Sequence, residues 1–439
     1  MSDTNLFGEK AVPVPKAKPA IEGDPRVKGA NRHQAVLRPE ILDEVIPPDN
    51  HARGIWSVVD KLDLDAFYAT IQSRGSQAGR PATDPKILLV LWLYATSENI
   101  GSARQLARLC ERDDVYRWIC GGVEMNHHTL SDFRVAHGDR LDDLLTQLLA
   151  LFMREGMLTL QRVAQDGMRI RASAGASSFR SKAGLERCIK EARQRVASTK
   201  QMLDQPDDPT QNARRKAAQK RAAEDRLTRV EKALQALPQI QEAKQKVEDR
   251  EKARVSTTDS DARVMKMADG GFRPAFNVQL ATDADRGVIV GCDVTNVGSD
   301  MGLMTPMIEQ IEHRTGKLPE SYLVDGGFAK HEAIEAATQL GVEVLAPVPA
   351  IKKPDAEIKR PRQRQDSPAV AAWRARMETP QAKNAYKARA ATAERVNADL
   401  RVKRGLDRVA VRGLAKVKAI TLWSVLAYNM LLHVCATVS

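Results

Sequence analysis

Three acidic residues stand in settings where a carboxylate could do chemistry: Asp166, Asp325 and Glu394. The stretch from Arg162 to Ala172 reads as a strand. Its period of two puts Ala164, Asp166, Met168, Ile170 and Ala172 on one face. An ionised Asp166 among small and apolar neighbours is unfavourable unless a cation pairs with it. The competing reading is an Asp166-Gly167 hairpin turn with the acid in solvent. Asp325 ends the short apolar run from Ser321 and is followed by Gly326 and Gly327. Open α/β sheets collect functional groups at such strand ends, and a plain turn cap is the alternative. Glu394 lies in a helical stretch beside Ala390, Ala391, Asn397 and Ala398, with Arg401 two turns on. The small residues would let that helix approach a sheet; a solvated, charge-laced helix is the alternative.

Carboxylates from two strands and a helix suit Mg²⁺, with Mn²⁺ as a substitute, because hard cations take oxygen ligands. Two such ions about 4 Å apart can activate a water or a 3′-hydroxyl for phosphodiester chemistry. Spacing does not single these three out from 56 acidic residues, and Asp261, Asp293 and Asp300 are competitors.

The elements that would position them follow in order. Residues 1–55 are read as a largely disordered tail, rich in Pro, Lys and Ala, with a short apolar segment near Ile41–Ile46. Residues 56–156 are read as an all-helical domain. Its central helix starts after Asp84-Pro85 and is apolar nearly all round. Two short helices and a turn follow, carrying Arg104, Arg108 and Arg134. They suit a helix-turn-helix DNA reader, with a plain helical bundle as the alternative. His127 and His128 are adjacent, point different ways on a helix and lack a cysteine pair, so no metal site is expected there.

Residues 157–439 are read as a mixed α/β sheet domain. A helical arm, 175–255, interrupts it; Leu227, Val230, Leu234 and Leu237 form a coiled-coil-like seam that matches Leu185, Ile189, Ala192 and Val196. A hairpin follows over 272–294, then a helix, the strand ending on Asp325, a helix and another strand. A basic, Pro-rich loop spans 352–370, and helices run to the end. Without the arm, this order is antiparallel strands followed by αβαβ crossovers, the ribonuclease-H-like plan.

The charge of +12 and pI near 9.5 favour an anionic partner, nucleic acid above all. Five scattered cysteines without a CxxC pair exclude a zinc ribbon and fit a reducing compartment. The N-terminus lacks the apolar core of a signal peptide. The apolar tail from Ala419 is interrupted by Asn429 and His433, so it reads as a buried helix and no membrane is expected.

Several blocks together resemble one family. These are Thr83-Asp84-Pro85 through Arg134, Gln165 through Ala172, Thr258 through Met265, Gly271 through Gln279, Leu323 through Phe328, the set Tyr386, Arg389, Glu394 and Arg401, and Arg412 through Val417. The chain resembles bacterial insertion-sequence transposases of the DDE class, in the broad IS-five-like group and nearest its eleven-eighty-two branch. Two departures stand out. Arg401 replaces the usual Lys, and the gap from Arg389 to Glu394 is one residue longer than in some related groups. The resemblance implies that Asp166, Asp325 and Glu394 are catalytic metal ligands for two Mg²⁺ ions. It implies that Arg389 and Arg401 position DNA, with Tyr386 supporting their helix. It also implies double-stranded DNA as partner, both terminal inverted repeats and target, a homodimer or larger synaptic assembly, and a cytoplasmic, nucleoid-associated place of action. A non-catalytic DNA-binding regulator remains the alternative.

Overall fold

Asp84 and Pro85 open the most apolar helix near the start of the chain. The Asp84 carboxylate accepts the Lys86 amide at 2.8 Å and Pro85 occupies the first turn, where its missing N–H is no loss. That helix, α3 (Pro85–Ser97), belongs to a helical layer with α1 (His51–Val59), α2 (Asp65–Tyr68), α4 (Ala103–Arg112), α5 (Asp114–Cys120), α6 (His127–Ala136) and α7 (Gly138–Arg154). Asn50, Ser102, Asp113 and Asn126 cap α1, α4, α5 and α6 with their side chains. Order begins before residue 56: Ile46, Ala52 and Ile55 are already core residues. The computed structural model describes residues 39–74, 81–203, 213–244, 246–349 and 366–438. Most of the expected N-terminal tail and of the basic loop lies outside them.

The chain then forms β1 (Arg162–Arg171), β2 (Phe179–Arg180) and the arm helices α8 (Lys182–Leu203), α9 (Ala213–Glu242) and α10 (Val247–Glu251). Next come β3 (Val255–Ser256), β4 (Arg263–Lys266), β5 (Phe272–Asp283), β6 (Ile289–Thr295) and α11 (Met304–Thr315). The remainder is β7 (Ser321–Leu323), α12 (His331–Gln339), β8 (Glu343–Leu345), α13 (Pro368–Glu378), α14 (Pro380–Val402) and α15 (Leu414–Val438).

The main sheet is mixed. β1 runs antiparallel to β5 on one side and parallel to β7 on the other, and β8 extends the parallel side. The other edge of β5 carries β4 first and then β6, both antiparallel. The hairpin turn between β5 and β6 is fixed by buried Asp283. One of its oxygens accepts the amides of Asp285 and Arg286, and the other those of Thr159 and Leu160.

Asp166 is therefore in the middle of a strand, directly opposite Leu280, and not in a hairpin turn. Both faces of β1 are largely covered: Val163 and Gln165 are as buried as Ala164, Met168 and Ile170.

α15 joins the helical layer to the sheet, packing on α1, α3, α6, α7 and β6. It is long and apolar enough to cross a membrane, but 78% of its most apolar window is buried within the protein. The two polar residues that interrupt it find partners there, although Nδ1 of His433 is buried without one among the described residues. Asn429 accepts the Ile289 amide at 3.0 Å and donates to the Ile289 carbonyl at 2.8 Å. His433 bonds Glu155 at 2.6 Å and stacks on Phe152. Residues from Leu42 on form one unit with a continuous core. A second, smaller core of Leu185, Ala233, Leu237, Ala253 and Val255 holds the root of the arm.

Candidate functional site

The parallel pairing of β1 with β7 brings two of the three acids together. Ala164 pairs with Leu323, so Asp166 and Asp325 each lie two residues further along neighbouring segments. α14 crosses this end of the sheet. Thr379 caps it by accepting the Ala382 amide, and Pro380 starts it. Its buried residues Ala393, Val396 and Leu400 face the protein, and Arg389 and Asn397 flank them over Asp166.

The hydrogen bonds are specific. Arg389 donates Nη2 to Asp166 Oδ1 at 2.8 Å, and the same nitrogen lies 3.6 Å from Asp325 Oδ2. Asn397 donates Nδ2 to Asp166 Oδ2 at 2.9 Å. Both oxygens of the half-buried Asp166 are thus engaged. Burial pushes its carboxyl above the ordinary value; Arg389 opposes this, and Asp325 and Asp300 reinforce it. Asp325 is more open, and its Oδ1 accepts the Gly327 amide at 2.8 Å in a tight turn. A Cβ on Gly327 would come within 2.9 Å of that oxygen, so a side chain there would shift the Asp325 carboxylate. Tyr386, one turn before Arg389, is half-buried. Burial raises its phenol, and the Arg389 charge partly opposes this.

Glu394 is not brought to this pair. It is exposed on α14, while the neighbouring Ala393 is buried. One residue along a helix is a turn of about 100°, enough to move a side chain off the covered face. The position facing Asp166 belongs to Asn397, a residue that sequence reasoning treated only as a neighbour of Glu394. Among the described residues no three His, Cys, Asp or Glu side chains are grouped so as to hold a metal ion. Arg389 already sits between the two carboxylates. The arrangement therefore does not fit a pair of Mg²⁺ ions.

The competing acids are occupied elsewhere. Asp300 lies over the opposite face of β1, accepting Asn277 Nδ2 and Gln279 Nε2, each at 2.8 Å, and Arg169 Nη2 at 3.3 Å. Gln165 extends this buried network, donating to Gln279 at 2.9 Å and accepting from the Tyr322 hydroxyl at 2.9 Å. Gly167 makes room for it, since an added Cβ would collide with the Asp300 carboxylate and lie 2.7 Å from Gln279 Nε2. Asp261 accepts the Leu414 amide at 2.9 Å and so caps α15. Asp293 pairs with Lys418 at 3.4 Å.

The arginines of the sequence reading divide. Arg401 donates to the Arg169 carbonyl at 3.4 Å, at the far end of the site. Arg104 and Arg108 are exposed and line a groove of about 540 Å³ with Asn126, His127 and His128. The two histidine rings lie 4.1 Å apart there. Arg134 has a different setting. Its guanidinium lies 4.5 Å over the Trp92 ring and donates to the Gly101 carbonyl, and burial lowers its pKa to about 10. It ties α6 to α3 and is not displayed with Arg104 and Arg108.

Residues 249–430 match the family model described as a Transposase DDE domain. Residues 40–136 match the one described as a Transposase domain (DUF772). No curated protein and no solved structure matches the chain. The matched segments take in Asp325, Arg389, Asn397 and Glu394; the strand with Asp166 and the two long arm helices lie between them. The chain thus matches a transposase DDE domain on the C-terminal side of its arm and a second kind of transposase domain on the N-terminal side.

Proposed function

We propose that this protein is a DNA transposase. It binds the terminal inverted repeats of its element, cuts DNA strands there and joins the freed 3′-hydroxyls to target DNA. The observation that carries this reading is the meeting of Asp166 and Asp325 beneath Arg389, inside a chain with transposase domain matches on either side of the arm. The strand order supports a ribonuclease-H-like sheet, with β1 central and the parallel strands to one side. Arg104 and Arg108, on an exposed groove of a protein with charge +12, are assigned to DNA backbone contacts. Arg389, Arg401 and Tyr386 are assigned to phosphate near the acids, where a DNA phosphate would compete with Asp166 for the Arg389 guanidinium. A cytoplasmic, nucleoid-associated protein acting as a dimer or larger assembly is part of this proposal, because two ends must be held together. So is membership of the IS-five-like group.

The resemblance implies Mg²⁺ or Mn²⁺ for such a reaction. The arrangement described does not fit that ion, because Arg389 lies against both carboxylates and Glu394, exposed on α14, is not grouped with them. We assign Glu394 as the third acid on the resemblance alone. Asp166→Asn, Asp325→Asn and Glu394→Gln are each expected to abolish strand cleavage with Mg²⁺ while retaining end binding. Wild-type cleavage by Glu394→Gln would remove it from the set. Equal loss of binding and folding in the two aspartate variants would make those acids structural. The solvent-facing Glu394 favours one second reading, a DNA-binding regulator without cleavage. Wild-type protein that binds inverted repeats but never cuts them with Mg²⁺ or Mn²⁺ would decide for it.

A further inference from the structure

A second charged site lies away from the acids, at the root of the arm. A cavity of about 130 Å³ is lined by Arg226, Arg229 and Arg412, with Thr257, Thr258 and Val230 completing most of its wall. Guanidinium groups stay charged at every physiological pH, so three around one small hollow repel each other. No carboxylate lines it, and among the described residues none of the three arginines makes an ion pair. Elsewhere arginines of this protein do find acids, as Arg314 does with Asp142 at 2.8 Å and Arg404 with Asp399 at 3.1 Å.

The backbone of the wall is tied down, while the Arg226 and Arg412 side chains are exposed and Arg229 is half-buried. Arg226 and Arg229 are one turn apart on α9, just before the residues Ala233 and Leu237 that anchor the arm in its own core. Arg412 precedes Gly413 and Leu414, whose amides are held by Asp259 at 3.2 Å and Asp261 at 2.9 Å. The Thr257 amide is held by the Ser178 carbonyl at 3.0 Å. Two separate segments thus bring cations to one hollow, and a third, Thr257–Thr258, adds hydroxyls to its wall. The volume is a few times the roughly 30 Å³ that one water occupies in the liquid. It is well below the roughly 300 Å³ at which small-molecule pockets begin. It is large enough for a single tetrahedral oxyanion.

We propose that this pocket is a phosphate site, and that it grips one backbone phosphate of duplex DNA where the arm meets the sheet domain. The proposal rests on the transposase reading for its choice of DNA, and on the pocket alone for its choice of phosphate. Two measurements separate these. In the first, binding of a duplex of fixed length is followed against salt for wild type, Arg412→Gln and Arg226→Gln. Each substitution is expected to weaken binding severalfold, equally for any base sequence, and to lower the salt slope by up to about one, the share of a single neutralised phosphate. Arg412→Lys is expected to keep the slope, because its charge remains. In the second, thermal unfolding is compared in inorganic phosphate and in chloride of equal ionic strength. Phosphate is expected to raise the Tm of wild type and not that of Arg412→Gln.

No selective effect of phosphate on wild type, together with unchanged duplex slopes in both glutamine variants, overturns the site. Stabilisation by phosphate with unchanged slopes overturns the DNA assignment and leaves a free-anion site. Wild-type protein that binds no duplex overturns both the DNA assignment and the transposase reading, while the phosphate measurement still reports on the pocket.

Discussion

The acid site and the arm-root pocket treat charge in opposite ways. At the first, two carboxylates share Arg389, and Asn397 satisfies the remaining oxygen of Asp166. At the second, three arginines share a cavity with no acid in its wall. In a compensated cluster each charge already has a partner, so the cluster must be opened before it can receive anything else. An uncompensated one is held in place by its surroundings, works against folding slightly, and is ready for an anion. The same residue type therefore plays different parts: Arg389 is a counter-ion inside the fold, and Arg412 is a cation presented outward.

The largest expected effect comes from removing the counter-ion. Arg389→Ala leaves a half-buried Asp166 beside Asp325 with no cation, and should cost about 3 kcal/mol near neutral pH, as broken buried pairs do. Chemical denaturation would measure it. The pH dependence sharpens the prediction. Burial already raises Asp166 above its ordinary value in the folded protein, so the folded state binds this proton more tightly than the unfolded chain. The stability from this group is then complete below the ordinary carboxylate range and is lost as pH rises through the raised value. Without Arg389 the folded value climbs further, and the loss extends to higher pH. The deficit of the variant should thus be greatest at neutral pH and shrink on acidification. A deficit independent of pH would mean that Arg389 acts through packing and not as a counter-ion.

A smaller effect is expected from the other side of the same strand. Gly167→Ala pushes a methyl group into the Asp300, Gln279 and Asn277 network behind Asp166. Overpacking of this kind costs about 1–2 kcal/mol. Strand cleavage should fall with it if that network sets the position of β1. A fully stable Gly167→Ala protein would show that the sheet can flex there.

Much of this was legible in the residues. The β1 alternation, the hairpin around Asp283, the strand leading to Asp325, the paired arm helices and the buried tail each follow from a local period or a turn signal. What was not legible is what depends on phase or on distant partners. α14 is rich in alanine and weakly patterned, so its sequence does not fix which face packs. The reading centred on Glu394 missed that Ala393, Val396 and Leu400 are buried and that Asn397 meets Asp166. The network of Gln165, Gln279, Asn277 and Asp300 joins residues more than 100 positions apart, and no spacing announces it. Arg134 looked like Arg104 and Arg108 in composition, but its partner is the ring of Trp92, 4.5 Å away.

The smallest expected effect tests the other half of the contrast. Arg229→Gln removes a cation from a group that lacks acids. It should leave stability unchanged or raise it, within about 0.5 kcal/mol, because relief of repulsion offsets the lost packing of the side chain. Added potassium chloride screens that repulsion, so it should stabilise wild type slightly more than the variant, by a few tenths of a kcal/mol at most. Inorganic phosphate supplies the missing counter-charge at the arm root, whereas at the acid site it would have to compete with Asp166 for Arg389. If Arg229→Gln instead destabilised the protein as much as Arg389→Ala, the arm-root arginines would be structural cations with acids of their own, and the two sites would differ in location but not in kind.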